Sequence, residues 1–360
     1  MKLLERIRPA VRSLGVYLVS LPESIRVKVN QNENPYDWPE PLKRELAEQL
    51  IEQPWNRYPD EFAGMLRQRL GERDGLPAES VLVSPGSNEL TYYLGLMLVE
   101  PGAKVILPTP MFSLYRKMVQ LYEGELIEVP ATASHDTDIE TILDLVHEHQ
   151  PALTVLTTPN NPTGRVISFA DVKRVVEAAE GFVLVDEAYV EFLKEPSAAT
   201  LIERHPNVLV LRTFSKAAAL AGVRIGYLLG HPEVIAEMMR ARLPFLINRF
   251  TEAAALHVLD HDDVVQDTVR RMEAGRDELM TILRSLPGVE PVESSANFII
   301  FRTPQPAARI VRVLADAGIL VRNVSGYPGL EGYVRVSVGT PAENRAFVDA
   351  LELALESEPV

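Results

Sequence analysis

The sequence contains no cysteine, which excludes disulfide bonds, thiolate metal sites and cysteine nucleophiles. It also has no apolar run that approaches the ~20 residues of a membrane-spanning helix. Residues 1–15 alternate charged with apolar side chains and contain no apolar core of signal-peptide length. These absences predict a cytoplasmic protein with no membrane partner.

Positive charge is scarce as well. The 36 lysines and arginines are outnumbered by 50 aspartates and glutamates, which gives a formal net charge of −14. This sign is unfavourable for binding nucleic acid or an anionic membrane surface, so we expect neither partner. An anionic substrate is still possible, but only where arginines are concentrated locally.

Several common motifs are missing: G-x-G-x-x-G, the Walker loop and G-x-S-x-G. A nicotinamide site, a P-loop and a serine hydrolase are therefore not indicated. His257 and His261 are four residues apart on a predicted helix, but no third ligand accompanies them at metal spacing. Asp260, Asp262 and Asp263 suggest an acidic, solvated helix end there, so the sequence predicts no metal site.

The length of 360 residues favours two domains of unequal size. Short apolar segments alternate with helical patterns, which is typical of an α/β fold with a mainly parallel sheet covered by helices on both faces. The pattern predicts seven strands, at 81–84, 104–108, 125–129, 152–157, 182–185, 207–211 and 224–229.

The pattern changes in the last third of the chain. A long amphipathic helix is predicted at about 264–286, followed by a strand at 297–301 and a helix at 307–317. Two short strands and a C-terminal helix complete a smaller α+β domain. The predicted organisation is an N-terminal arm (1–40) that contributes to the small domain and to dimer contacts, a large domain (41–240) and a small domain (241–360).

Three polar side chains follow apolar strands of the predicted sheet. They are Asn161 in TPNNPTG, Asp186 in VLVDEAY and Lys216 in TFSKAAALAGVR. Because ligands of such sheets bind beyond the carboxyl ends of the strands, these residues suggest one site. Each also has an ordinary structural explanation: a turn, a helix cap, and a lysine whose stem lies along apolar neighbours.

A further candidate is the segment SPGSNEL (84–90), which indicates a strand, a turn and the start of a helix. Ser87 and Asn88, together with backbone N–H groups, are suited to bind an anion. Simple capping of the helix explains the same residues without a ligand.

The segments TPNNPTG, DEAY, TFSKAAALAGVRIGY and YVRVSVGT, in this order, resemble the fold-type I aminotransferases that use pyridoxal 5'-phosphate. NQNENPYDWP, NRYPD, PGSNE and the ending GILVRN…YVRVSVGTPAEN are similar to the histidinol-phosphate aminotransferase family. The resemblance covers nearly the whole chain. It implies transfer of the amino group of L-histidinol phosphate to 2-oxoglutarate, giving imidazole acetol phosphate and L-glutamate in histidine biosynthesis. The alternatives are an aromatic amino acid aminotransferase and a phosphothreonine decarboxylase of the same fold.

The resemblance also implies roles for individual residues. Lys216, Asp186 and Tyr189 would be catalytic, with Lys216 bonding covalently to the cofactor and Asp186 pairing with its ring nitrogen. The cofactor-binding residues would be Ser87, Asn88, Phe112, Asn161, Asp186, Tyr189, Ser215, Lys216 and Arg224, with Tyr58 reaching across the interface of a homodimer with shared active sites. The substrate-binding residues would be Arg335, Arg322, Tyr17 and Asn161. Plain core packing of Phe112 and a surface ion pair of Arg322 remain open alternatives.

Overall fold

The computed structural model describes residues 3–15 and 24–356. The helices are α1 (Pro9–Arg12), α2 (Glu40–Ile51), α3 (Gly64–Asp74), α4 (Ser87–Leu98), α5 (Leu114–Leu121), α6 (Ile139–His149), α7 (Phe169–Ala178), α8 (Pro232–Arg240), α9 (Arg249–Asp260), α10 (Asp262–Ser285), α11 (Ala307–Asp316) and α12 (Pro341–Glu356). The strands are β1 (Val27–Lys28), β2 (Val81–Ser84), β3 (Lys104–Thr109), β4 (Glu125–Pro130), β5 (Leu153–Thr157), β6 (Phe182–Asp186), β7 (Val208–Thr213), β8 (Gly226–Gly230), β9 (Glu290–Pro291), β10 (Phe298–Arg302), β11 (Ile319–Leu320), β12 (Arg322–Asn323) and β13 (Tyr333–Ser337).

The largest sheet has seven strands in the order β2-β8-β7-β6-β5-β3-β4. The pairs from β7 to β4 are all parallel, whereas β8 runs antiparallel to both β7 and β2. This confirms the mainly parallel seven-stranded sheet expected from the sequence. The consecutive parallel strands β5, β6 and β7 therefore end at the same edge, where Asn161, Asp186 and Lys216 lie in sequence.

Both faces of this sheet are buried, because successive side chains of a strand point to opposite faces. In β6, Val183 and Val185 pack in one core cluster with α6, α7 and α9, while Leu184 packs in another with α4, α5 and α8. This explains why the strands read as continuous apolar runs. Side chains also cap helices: Asp138 accepts from the N–H of Thr141 at the start of α6.

A second, four-stranded antiparallel sheet has the order β12-β13-β10-β9 and packs against α10, α11 and α12. The N-terminal strand β1 pairs in parallel with β11, so a segment from the start of the chain joins the C-terminal elements. The boundaries of the arm and the two domains stay a prediction.

Helix α10 packs against both hydrophobic cores. Val265 and Met272, in its first half, belong to the core of the seven-stranded sheet, while Leu279 and Leu283 belong to the core of the smaller sheet. The apolar stripe read from the sequence is therefore one face of a 24-residue helix that ties the two cores together.

Among the described helices, none is long and apolar enough to cross a membrane.

Candidate active site

A cavity of about 700 Å³ lies at the carboxyl edge of the seven-stranded sheet. Eleven of the site residues named from the sequence line it: Ser87, Asn88, Phe112, Asn161, Asp186, Tyr189, Ser215, Lys216, Arg224, Arg322 and Arg335. Tyr58 is not among the residues that line it; its side chain is 77% exposed elsewhere on the surface. Tyr17 lies outside the described residues.

Lys216 follows β7 and is partly buried in the cavity wall. Its Nζ donates a hydrogen bond to the backbone carbonyl of Gln31, at 3.0 Å. Burial, assisted by the positive charges of Arg335 and Arg224, lowers the pKa of Lys216 from 10.5 to about 8. A substantial fraction of this lysine is therefore neutral near physiological pH, as a nucleophile or a general base requires.

Asp186 is the last residue of β6, and both of its carboxylate oxygens accept hydrogen bonds. Tyr115 donates its phenol O–H to Oδ2 at 2.7 Å, and the N–H of Ala188 donates to Oδ1 at 3.0 Å. Burial raises the pKa of Asp186 to about 6, although these two hydrogen bonds and nearby Lys216 act in the opposite direction. The carboxylate is thus mostly ionised at pH 7 and suited to pair with a buried cation.

Tyr189 packs beside Lys216, whose Nζ is 6.0 Å from the centre of the tyrosine ring. Its hydroxyl oxygen accepts a hydrogen bond from Nδ2 of Asn32, at 2.9 Å, and Ser337 in turn donates to Oδ1 of Asn32. Burial raises the pKa of Tyr189 to about 12, so the phenol keeps its proton at neutral pH. Tyr189 can therefore donate a hydrogen bond into the site.

The cavity also contains a group of residues suited to hold an anion. Helix α4 begins at Ser87, which lines the cavity with Ser215 and Arg224, and Arg224 donates to Oγ of Ser215 at 3.4 Å. The cap residue Gly86 has φ +88°, and a Cβ placed there would lie 2.3 Å from Nη2 of Arg224. Only glycine lets the guanidinium pack so closely against the start of the helix. Backbone N–H groups, a hydroxyl and a guanidinium together fit a phosphate group.

Arg335 connects the smaller sheet to the end of β5. It lies on β13, largely buried, where it donates to the carbonyl of Asn30 at 3.0 Å and to Oδ1 of Asn161. Arg322, on β12, is its cross-strand partner in the register of the sheet. The two arginines supply the local positive charge that an anionic substrate needs in this acidic protein.

The sequence reasoning missed three polar contacts of the site, those of Tyr115, Gln31 and Asn32. The run NQNEN (30–34) was a signal for Gln31 and Asn32, because consecutive polar residues directly after a short apolar segment indicate hydrogen-bond partners inside the protein. In the NN pair, Asn160 is buried and fixes the loop through Thr157 and Pro110, whereas Asn161 faces the cavity. The sequence could not tell these roles apart.

A buried ion-pair network connects β7 to the residue after β6 and to the end of α3. Arg212, almost fully buried, donates to Glu187 Oε2 at 3.1 Å and to Asp74 Oδ1 at 2.6 Å. Ser197 also donates to Glu187, at 2.8 Å. Because Glu187 directly follows Asp186, the network fixes the backbone that carries the carboxylate of the site.

Comparison with known proteins identifies the family. Residues 24–351 match the family described as aminotransferase class I and II. The chain belongs to this aminotransferase family. It is 43% identical over 345 residues to the histidinol-phosphate aminotransferase of Chlorobium phaeovibrioides, covering 96% of each chain. It is 40% identical to that of Chlorobaculum tepidum, covering 96% of this chain and 99% of the relative.

Solved structures agree with this family assignment. The histidinol-phosphate aminotransferase from Sinorhizobium meliloti, in complex with pyridoxal-5'-phosphate, matches with a TM-score of 0.88 at 26% identity, over 97% of both chains. The L-threonine-O-3-phosphate decarboxylase from Porphyromonas gingivalis matches with a TM-score of 0.78 at 26% identity, over 92% of this chain and all of that one. The fold-type I architecture and the resemblance to histidinol-phosphate aminotransferases are confirmed, and the decarboxylase alternative is not favoured.

Proposed function

We propose that this aminotransferase uses pyridoxal 5'-phosphate to transfer the amino group of L-histidinol phosphate to 2-oxoglutarate. One observation carries the proposal: a single cavity joins a lysine with a lowered pKa, a buried carboxylate, an anion-binding helix start and a pair of arginines. The full-length relatives named for this activity support the choice of substrate.

The residues present fit the cofactor. Ser87, Asn88, Ser215 and Arg224 would hold its phosphate, at the helix start where Gly86 makes room for the guanidinium. Asp186 would pair with the ring nitrogen, Asn161 and Tyr189 would contact the ring hydroxyl, and Phe112 would cover a ring face. When bound, the cofactor supplies an aldehyde that bonds to amines and a ring that withdraws electrons from the substrate Cα.

Lys216 would hold the cofactor covalently until the substrate amine displaces it, and its freed amine would then move a proton between the substrate Cα and the cofactor. A base is effective when its pKa lies near the working pH, and burial brings Lys216 to about 8. Activity limited by this group should rise as pH increases through about 8, because only the neutral amine accepts a proton. Asp186, ionised above about pH 6, would keep the proton on the ring nitrogen.

The arginine pair would bind the two anionic substrates in turn. Arg335 would bind the α-carboxylate of 2-oxoglutarate with its planar guanidinium, held in place by Asn161 and the carbonyl of Asn30. Arg322, with Tyr17 and the partner subunit's Tyr58, would bind the phosphate of L-histidinol phosphate, which has no carboxylate. Both arginines are therefore needed for the complete cycle.

We further propose a cytoplasmic homodimer in which Tyr58 completes the site of the partner subunit. Tyr58 is exposed and stacks on Phe245, with ring centres 4.7 Å apart, and exposed Trp55 and Phe250, near them in the chain, pack edge to face at 5.3 Å. Such a cluster of exposed aromatic side chains favours an interface. Mixing inactive Lys216→Ala with weakened Tyr58→Ala subunits should restore part of the activity, because one site of each hybrid is then native.

The substrate is tested by single half-reactions followed through the absorbance of the cofactor. L-Histidinol phosphate should react far faster than L-phenylalanine and O-phospho-L-threonine. Arg322→Leu should reduce the reaction with L-histidinol phosphate much more than the reaction with L-phenylalanine, which has no phosphate. Equal reactivity of the three amines would refute the substrate but not the aminotransferase activity.

The role of Lys216 is tested separately. Protein purified with added cofactor should keep an absorbance band through dialysis, and Lys216→Ala should lose it. Persistence of the band in the variant would refute the covalent role of this lysine.

A further inference from the structure

A cluster of metal-ligating side chains lies away from the cavity, between α2 and the junction of α9 and α10. Glu45 on α2, His257 on α9 and His261 at the junction each offer one ligand atom, and these atoms all lie within 4.8 Å of one another. The sequence indicated no third ligand for the two histidines. The fold, however, brings Glu45 from an early helix to the side of the two histidines.

His257 provides a second, independent observation. Its side chain is only 6% exposed, and its Nε2 has no hydrogen-bond partner among residues 3–15 and 24–356. The ring lies beside Trp38, with ring centres 6.3 Å apart. The acidic, solvated helix end expected from the sequence does not describe this residue. A buried ring nitrogen without a partner is costly, and an ion bound there would satisfy it.

The orientation of His261 suits a metal ligand as well. Its Nδ1 is 3.1 Å from the backbone carbonyl oxygen of His257, so Nδ1–H donates to that oxygen and the lone pair is on Nε2. Metal-binding histidines are typically held by such a hydrogen bond from their other ring nitrogen. The two imidazole rings, one helical turn apart, have centres 4.5 Å apart.

We propose that Glu45, His257 and His261 bind one zinc ion, with water at the remaining position. Two histidines and a glutamate form a known three-ligand zinc set, and imidazole nitrogen suits zinc better than magnesium or calcium. Bonds of about 2.0–2.1 Å in a tetrahedral site place ligand atoms roughly 3.3 Å apart. Glu45, which is exposed on α2, can approach the histidines by rotating its side chain. The ion would join α2 to the end of α9.

The site is tested on the holoenzyme after treatment with a chelator, by calorimetric titration with zinc chloride. We expect one zinc ion per chain. Glu45→Gln and His261→Ala, both at incompletely buried positions, should each weaken binding at least about tenfold. His147→Ala removes an exposed histidine from another helix and should leave the affinity unchanged.

Thermal unfolding gives a second measurement on the same proteins. At one fixed zinc concentration the midpoint should rise more for the wild type and His147→Ala than for the two ligand variants, because the stabilisation increases with affinity for the folded state. Binding of much less than one ion per chain would overturn the proposal. So would a zinc affinity that is the same in His261→Ala or Glu45→Gln as in the wild type.

Discussion

Replacing Tyr115 by phenylalanine should change how tightly the protein binds its cofactor, and should do so through Asp186. Tyr115 donates its hydroxyl to Asp186 Oδ2 at 2.7 Å, and this hydrogen bond stabilises the ionised carboxylate against the effect of burial. Phenylalanine removes the donor while keeping the ring. The carboxylate should then take up a proton at a higher pH.

The size of the effect follows from the hydrogen bond. A bond to a charged group contributes about 1.5–3 kcal/mol, which corresponds to about 1–2 pKa units. The pKa of Asp186, about 6 in the wild type, should rise to about 7–8. Because the cofactor requires the ionised carboxylate, binding in the variant should weaken about two- to tenfold at pH 7 and about 8- to 80-fold at pH 5.5. Above pH 9 the difference should nearly vanish.

The assay is the dissociation constant of pyridoxal 5'-phosphate, measured by absorbance from pH 5.5 to pH 9 for both proteins. The ratio of the two constants cancels the titration of Lys216 and of the free cofactor, which the proteins share. The ratio should increase as the pH falls. A ratio that stays constant with pH would refute the reasoning and leave Tyr115 a packing role only.

Three further predictions concern stability and cofactor binding. Asp186→Asn should stabilise the cofactor-free protein by about 3 kcal/mol at pH 8, because the pKa of this buried carboxyl is raised from 3.8 to about 6 and its ionisation opposes folding. The gain should disappear below about pH 4, where the aspartate is protonated in both folded and unfolded states. Gly86→Ala should weaken cofactor binding at least about tenfold, because an alanine at positive φ is strained and its Cβ collides with Arg224. Arg212→Leu should destabilise the protein by about 3–5 kcal/mol, because Glu187 is left buried without its oppositely charged partner.

Matched controls separate these causes. Gly222→Ala adds a Cβ with nothing within 4 Å and should leave cofactor binding unchanged. Arg240→Leu breaks an exposed ion pair and should cost at most about 1 kcal/mol in urea unfolding. Equal losses in the free energy of unfolding for Arg212→Leu and Arg240→Leu would contradict the idea that burial makes the ion pairs of Arg212 important for stability. The stability difference between Asp186→Asn and the wild type, both free of cofactor, should be larger at pH 8 than at pH 4. An equal difference at the two pH values would contradict the raised pKa of Asp186.

Local sequence patterns predicted most of the fold. The strand at 182–185 was recognisable because a strand covered on both faces is a continuous apolar run, and the structure extends it only to Asp186. The long helix predicted at 264–286 forms as Asp262–Ser285. The order of strands in the sheet was not predictable, because it depends on packing between segments distant in the chain.

The candidate site was predictable only in part, for the same reason. Asn161, Asp186 and Lys216 could be grouped because each follows a strand, and parallel strands end at one edge. The contact of Tyr115 with Asp186 joins two elements that the sequence does not relate. Glu45 illustrates the limit best, since no spacing in the sequence connects it to His257 and His261.

The two sheets would contribute different groups to the site, and this affects how its choice of substrate can change. The groups that would hold the cofactor, including Ser87, Asp186 and Arg224, come from the seven-stranded sheet and its loops, whereas Arg322 and Arg335 come from the smaller one. Changes at Arg322 on β12 are therefore the more direct way to alter which substrate is accepted. Changes in β13 would also affect residues proposed to bind the cofactor, because Arg335 contacts Asn161 and Ser337 contacts Asn32, which donates to Tyr189.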